Sequence, residues 1–299
     1  MNDVGGSGRG ARAARFPLGL EQVTQGPGRS RSAGTAASAG SAGGPTQATQ
    51  ATQTTLRPQR LLREAAADAL KQLPPTGVGL DSLAVRRRMV ERVRAEGVSN
   101  PAVLHALLAV PRHLFVDTGL APQAYENTSL PIGLSQTISK PSVVARMLAL
   151  IVERPGADAG TPPPLRRVLE IGSGCGYQAA LLSCLARSVV SVERLKPLHD
   201  KARQHLDAIG VTTVRLVYGD GRIGHAPNAP YDAIIAAAGG DALPPAWLEQ
   251  LAVGGRLVAP MYSAAAGGQV LMIIDRESNG YRRQVHDAVN FVPLKSGVD

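Results

Sequence analysis

Val168-Leu169-Glu170-Ile171-Gly172-Ser173-Gly174-Cys175-Gly176-Tyr177-Gln178 is the stretch that decides the fold. An apolar, β-branched run enters it, three glycines follow at alternate positions, and a helical pattern leaves it. That is a buried strand, a tight turn and a helix start. Glycine tolerates positive φ and lets a ligand approach the backbone, while the helix beginning near Gly176 presents free N–H groups. The spacing is G-x-G-x-G, not the G-x-G-x-x-G of dinucleotide enzymes. With no pyrophosphate to cradle, it suits a nucleoside with a short side chain, such as S-adenosylmethionine. Seventeen residues after Gly176, Glu193 closes a second apolar run, Val189-Val190-Ser191-Val192. An acid there can hold both hydroxyls of a ribose. The competing reading is a turn that serves only strand–helix packing, and Glu193 weakens it.

Downstream the alternation continues. Leu195, Leu198, Ala202, Leu206 and Ile209 predict a helix ended by Gly210. Residues 214–218, 231–237 and 256–260 predict strands, the first running into Gly219-Asp220-Gly221, and 247–251 belongs to a helix. Residues 269–274 and 289–293 predict a closing antiparallel pair. The fold class is therefore α/β: a doubly wound, Rossmann-like, mainly parallel sheet with helices on both faces. Ligands of such sheets bind at the carboxyl ends of the strands, where Gly172–Gly176, Glu193 and Asp220 all fall. Asp232 reads as structural at the start of its strand, and Trp247 as a packing residue.

Upstream, Val85, Met89 and Val93 predict a helix from about Asp81 to Gly97, with Arg86-Arg87-Arg88 mostly on its solvated side. Asn100-Pro101 starts a second helix, Asn as N-cap and Pro at the first helical position. Residues 111–141 show no clean period but are rich in hydrogen-bonding side chains, the mark of a functional irregular segment. Val143, Val144, Met147, Leu148 and Ile151 then predict a helix leading to Pro162-Pro163-Pro164. Residues 1–55 are Gly, Ala, Ser, Thr and Gln with scattered Arg, a composition too poor in apolar surface to offset ordering entropy. A short helix is expected over 56–73.

The net charge is +9 over 299 residues. Residues 1–75 hold nine Lys/Arg against four Asp/Glu, leaving 23 against 19 beyond them. With most of the excess in the extension and no basic patch interleaved with aromatics, no nucleic-acid partner is expected. No apolar run approaches the ~18 residues needed to span a bilayer, so no membrane partner is expected. The N-terminus lacks the apolar core of a secretory signal, although its Arg/Ser/Ala-rich, acid-poor composition leaves an organellar transit peptide open. Cys175 and Cys184 cannot build a disulfide framework and read as small buried side chains in a reducing compartment. His113, His199, His205, His225 and His286 lack metal-ligand spacing, so no metal is expected.

These residues resemble the protein-L-isoaspartate (D-aspartate) O-methyltransferases, from about Val85 to Leu294. The most specific marker is Leu130-Pro131-Ile132-Gly133 followed by Gln136-Thr137-Ile138-Ser139, which general methyltransferases lack. Pro111-Arg112-His113-Leu114-Phe115-Val116, Leu169-Glu170-Ile171-Gly172-Ser173-Gly174, Ser191-Val192-Glu193-Arg194, Gly219-Asp220-Gly221, Gly254-Gly255-Arg256-Leu257-Val258 and Phe291-Val292-Pro293-Leu294 support it.

The resemblance implies S-adenosyl-L-methionine as cofactor and isoaspartyl-containing proteins and peptides as partners, met by a cytoplasmic monomer. Its domains would be an extension, 1–75, and a methyltransferase domain, 76–299, divided into a helical, substrate-side segment (76–164) and the cofactor-binding sheet (165–299). Gly172, Gly174 and Gly176 would cradle the methionine part, with Glu170 and Ser173 in the same motif. Glu193 would bind the ribose, and Asp220 and Gly221 the adenine. Ser139 matches the family's active-site hydroxyl, with Thr137 and Ile138 lining the pocket beside it; read without the family, Ser139 is a helix-cap serine. A carboxylate with a reference pKa near 4 is already ionised at neutral pH, so attack on a sulfonium methyl requires no general base. The methyl ester then closes to a succinimide, whose hydrolysis returns part of it to aspartate. The pattern departs at Lys140, Ser142, Ser135, Gly224-His225, Ala236-Ala237-Ala238-Gly239-Gly240 and Pro260-Met261-Tyr262, leaving the cofactor pocket intact and the peptide-facing rim altered.

Overall fold

The computed structural model describes residues 83–154 and 165–299. The expected extension 1–75, its short helix and the triple-proline linker lie outside them. Helix α1 (Leu83–Ala95) buries Met89, Val90 and Val93. Helix α2 (Pro101–Ala109) begins as its sequence demands, the Asn100 carboxamide oxygen accepting the N–H groups of Ala102 and Val103 at 3.1 and 3.3 Å. Arg87 and Arg88 are exposed, but Arg86 reaches across to the carbonyls of Leu108 and Ala109. It thereby satisfies acceptors that the end of α2 leaves open.

The aperiodic segment contains two short 3₁₀ turns (Arg112–Phe115 and Thr118–Gln123) and a hairpin, β1 (Leu130–Gly133) with β2 (Gln136–Ile138). Strands this short carry no readable alternation. Their turn places Gly133, Leu134 and Ser135 at φ of 97°, 52° and 58°, a left-handed run that two side-chain-bearing residues adopt only under strain. Helix α3 (Pro141–Val152) follows directly.

From there the chain alternates through β3 (Leu165–Ile171), α4 (Tyr177–Ser183), β4 (Ala186–Glu193), α5 (Lys196–Ala208), β5 (Val214–Tyr218), β6 (Tyr231–Ala236), α6 (Pro245–Gln250) and β7 (Leu251–Ser263). Strands β8 (Gly268–Glu277) and β9 (Gly280–Val289) close the sheet, in the order β5-β4-β3-β6-β7-β8-β9. The first five strands in that order run parallel and the last two pairings are antiparallel. Successive residues serve opposite faces, as the pleat requires. Val168, Val189, Ala233 and Val258 pack toward α1–α4, whereas Leu169, Val190, Ile234 and Leu257 pack with Trp247 on the other side.

After β3 the chain moves outward to β4 and β5, then returns to the far side of β3 as β6. The loops leaving β3 and β6 therefore part at one place, which opens the crevice.

The closing pair differs from expectation. Its second strand is Gly280–Val289, mostly exposed and polar, so no apolar run betrays it. Residues 291–294 instead fold back to Gly239, whose N–H donates to Val292 O (2.8 Å) and whose carbonyl accepts Leu294 N–H (2.6 Å). Cys175 is buried as expected; Cys184, at the C-cap of α4, is exposed. Asp232 is structural, accepting the N–H groups of Arg166 and Arg167 at 2.8 and 2.9 Å. Because the buried Asn100 side chain satisfies two N–H groups at once, Asn100→Ala should cost about 1 kcal/mol, read as a lower urea midpoint at unchanged m-value.

Candidate active site

The glycine turn is built on backbone that side chains disfavour: Gly172, Gly174 and Gly176 have φ of 88°, 54° and 91°. Gly172 and Ser173 donate to Val192 O at 2.8 and 3.3 Å, fastening the turn to the end of β4. Glu193, 5% exposed, completes the joint. Its Oε2 accepts the Gly174 N–H at 2.9 Å and its Oε1 the Leu195 N–H at 3.0 Å. Both oxygens retain a free lone pair. The hairpin closes over the turn, since a Cβ on Gly174 would lie 3.2 Å from Ile132 Cδ1.

A cavity of about 690 Å³ opens at the carboxyl ends of β3, β4 and β6, within the size range of small-molecule sites. Eight of the expected site residues line it: Thr137, Ile138 and Ser139 from the hairpin side, Gly172, Ser173 and Gly174 from the turn, and Glu193 and Gly221. A Cβ on Gly221 would come within 2.5 Å of Ile171 Cγ2, so only glycine fits that wall.

The other three are not among the residues of its wall. Gly176 is the N-cap of α4 and packs against Ala202. Asp220 spends its carboxylate on the N–H groups of Arg222 (2.8 Å) and Gly297 (2.7 Å). Glu170 is fully buried and hydrogen-bonded by the Ser191 hydroxyl, which also meets that of Ser173. Burial pushes the Glu170 carboxyl up to about 8; the hydrogen bond from Ser191 opposes the rise and the Glu193 charge adds to it. Glu170 is therefore a neutral acid supporting the turn through two hydroxyls.

The structure does not make Ser139 the helix cap that its sequence alone suggests. Lys140 is the N-cap of α3, and it is Asn127 Oδ1 that accepts the Ser142 N–H, at 3.2 Å. The Ser139 carbonyl accepts from Arg112. Its hydroxyl makes no hydrogen bond among the described residues, so it is not a capping serine, and Ser139 is one of the residues lining the cavity.

Sequence reasoning missed part of the enclosure. Lys295 and Asp299 belong to the wall, in a tail with no period to read. Asp299 N–H donates to Arg194 O and its carbonyl accepts Lys196 N–H, both at 2.9 Å. Its carboxylate meets Arg194 Nη2 at 2.8 Å. Tyr177 and Gln178 also line the cavity; both stand within the deciding stretch and signal themselves only by following the last glycine. Of the altered rim positions, Ala237 lies on the cavity wall, Met261 is buried, and Tyr262 lines a separate hollow of about 270 Å³ with Gly239 and Gly240.

A sequence model of the protein-L-isoaspartate(D-aspartate) O-methyltransferases (PCMT) matches residues 84–299. The protein-L-isoaspartate O-methyltransferase of Methylibium petroleiphilum is 57% identical over 288 residues, 96% of this chain and 97% of its own. That of Leptothrix cholodnii is 54% identical over 287 residues, 96% of this chain and 95% of its own. A solved protein-L-isoaspartate O-methyltransferase superposes with a TM-score of 0.60 at 27% identity, covering 71% of this chain and 67% of its own. A Plasmodium falciparum structure in complex with S-adenosyl-L-homocysteine shares the fold, at 22% identity and a TM-score of 0.58 over 70% of this chain and 98% of its own.

The neutral Glu170 gives the fold a pH signature. The unfolded carboxyl titrates near its ordinary 4.5 and the folded one near 8, so the folded protein holds an extra proton between them. The stability it supports is whole below 4.5 and lost as pH rises through 8. Glu170→Gln, neutral throughout, should gain on the parent protein as pH rises across that window and run parallel outside it, in denaturation curves taken at intervals of about one pH unit.

Proposed function

The chain belongs to the protein-L-isoaspartate(D-aspartate) O-methyltransferase family, and from that premise we propose which residues carry the reaction. The enzyme transfers a methyl group from S-adenosyl-L-methionine to the free carboxyl of L-isoaspartyl and D-aspartyl residues, a repair of damaged proteins. The cavity fits that cofactor. Its floor is bare backbone, Glu193 offers acceptor lone pairs suited to ribose hydroxyls, and Gly221 leaves a flat wall suited to the adenine. Bound there, the cofactor supplies a methyl group activated by its sulfonium charge.

What remains for the protein is placement. The acceptor carboxylate is ionised without help at neutral pH. Ser139 donates its hydroxyl hydrogen to one carboxylate oxygen and so aims the other, while Thr137 and Ile138 close the space beside it. Holding two reactants in line can contribute on the order of 7–11 kcal/mol, so no proton abstraction is called for. Gly172, Ser173 and Gly174 hold the methionine part directly. Glu170 supports Ser173 from beneath, Gly176 sets the turn, and Asp220 holds the adenine side by fastening Gly221's neighbour and the tail. The observation that carries this reading is the uncommitted Ser139 hydroxyl on the wall of the cavity that holds Glu193.

Among the described residues no helix is long and apolar enough to cross a membrane. We infer a cytoplasmic monomer with no nucleic-acid partner. One chain supplies every wall of the cavity, the free Cys175 suits a reducing compartment, and more than half of the positive excess lies in residues 1–75. The same extension is proposed to stand apart from catalysis, since the family match starts at residue 84.

With labelled cofactor, an isoaspartyl peptide should acquire a base-labile methyl ester and its aspartyl twin should not; equal labelling would mean a wider carboxylate specificity. Ser139→Ala should lower kcat/KM by roughly 10²-fold while S-adenosylhomocysteine affinity by calorimetry stays nearly unchanged. A parallel fall in affinity would contradict the role given to Ser139. Removing residues 1–55 should leave the specific activity intact, and a folded but inactive truncation would refute the independence of the extension.

A further inference from the structure

Among the described residues Arg112 is the largest fully buried charged side chain, at 0% exposure. Its Nε donates to Ala124 O at 2.7 Å and its Nη2 to Ser139 O at 2.8 Å, and its guanidinium carbon stands 4.7 Å from the centre of the Tyr177 ring. Ser139 and Tyr177 both line the active cavity, so the cation sits immediately behind two of its wall residues. What it lacks is an anion. No carboxylate pairs with it among the described residues, and its Nη1 has no acceptor. The titratable groups facing it are Tyr177 from α4, Cys175 from the glycine turn and Tyr125 from the preceding loop, none an acid; Arg86 faces Tyr177 as a further cation. Burial pushes the Tyr177 hydroxyl upward and the Cys175 thiol to about 11, which keeps both neutral.

A buried, unneutralised guanidinium is costly in a structure with no use for it. The use is plain once the function proposed above is granted, and this inference rests on that reading. The reaction brings a carboxylate to Ser139 and converts it into an uncharged ester. We propose that Arg112 is a positioning residue for methyl transfer: it fixes Ser139 through the main-chain carbonyl and, from behind the wall, supplies the counter-charge for the acceptor carboxylate. The field favours binding of the ionised substrate and gives the neutral ester nothing to hold it. Acceptor capture and product release then follow from one fixed charge, with no group required to titrate or move.

Two variants of the full chain test this, Arg112→Met, which keeps the bulk and removes the charge, and Arg112→Lys, which keeps the charge. With the isoaspartyl peptide, Arg112→Met should raise KM at least tenfold at neutral pH, on the order of one pKa unit's worth of interaction. It should also move the acid limb of the kcat profile to higher pH, because a bound carboxylate without a nearby cation protonates sooner. Arg112→Lys should recover most of the KM and the acid limb. S-adenosylhomocysteine affinity reports folding in each. If Arg112→Met fails to bind it, Arg112→Lys decides: a KM and acid limb close to the parent's support the charge role, and a raised KM refutes it. An unshifted KM and acid limb in a folded Arg112→Met, or equal damage in both variants, would overturn the proposal alone. No transfer by the unmodified enzyme would overturn the functional reading beneath it as well.

Discussion

One carboxylate ties the halves of this site together. Glu193 stands at the end of β4 and accepts the N–H of Gly174 at the tip of the β3 turn, while its other oxygen accepts the N–H that starts the chain toward α5. Two parallel strands thus end in a single hydrogen-bonded joint. The joint stands at the carboxyl ends of two inner strands, on the wall of the cavity. A strand end unassisted leaves orphan donors and acceptors that must find water or a partner; here an acid satisfies two of the donors.

Behind that joint the polar groups are sorted by charge. Beneath the turn lies an acid that burial keeps neutral, linked to Ser173 by hydroxyls. Behind the hairpin lies a base that burial does not keep neutral, because a guanidinium cannot give up its proton in a protein. The interior is therefore positive behind the hairpin, while the acid beneath the glycine turn carries no charge. This asymmetry suits a reaction whose two substrates carry opposite charges and whose products carry none on the reacting atoms.

The parts of this arrangement that were legible in the sequence are those with a period or a special backbone. The glycine turn announces itself because no other residue tolerates its φ values at three alternate positions. Glu193 does so by closing an apolar run, and the Asn100-Pro101 helix start by its capping chemistry. Hidden from view were the hairpin, whose four- and three-residue strands are shorter than the pattern that would reveal them, and β9, whose exposed polar edge has no apolar face. The tail was illegible for another reason. Asp299 works through its own backbone and carboxylate against Arg194 and Lys196, a partnership between residues about a hundred positions apart that leaves no local trace. The capping role that the sequence offered for Ser139 falls instead to Asn127, which reaches the α3 N-terminus from a loop no local pattern connects to it.

The close approach of Ile132 to Gly174, and of Ile171 to Gly221, reaches beyond the geometry of a pocket. At 2.5 Å the second contact leaves no room for a methyl group unless Ile171 moves, whereas at 3.2 Å the first admits one if the Ile132 side chain gives by a few tenths of an ångström. Such pairs bind the histories of distant positions together. A lineage in which residue 221 acquires a side chain must also make room at 171.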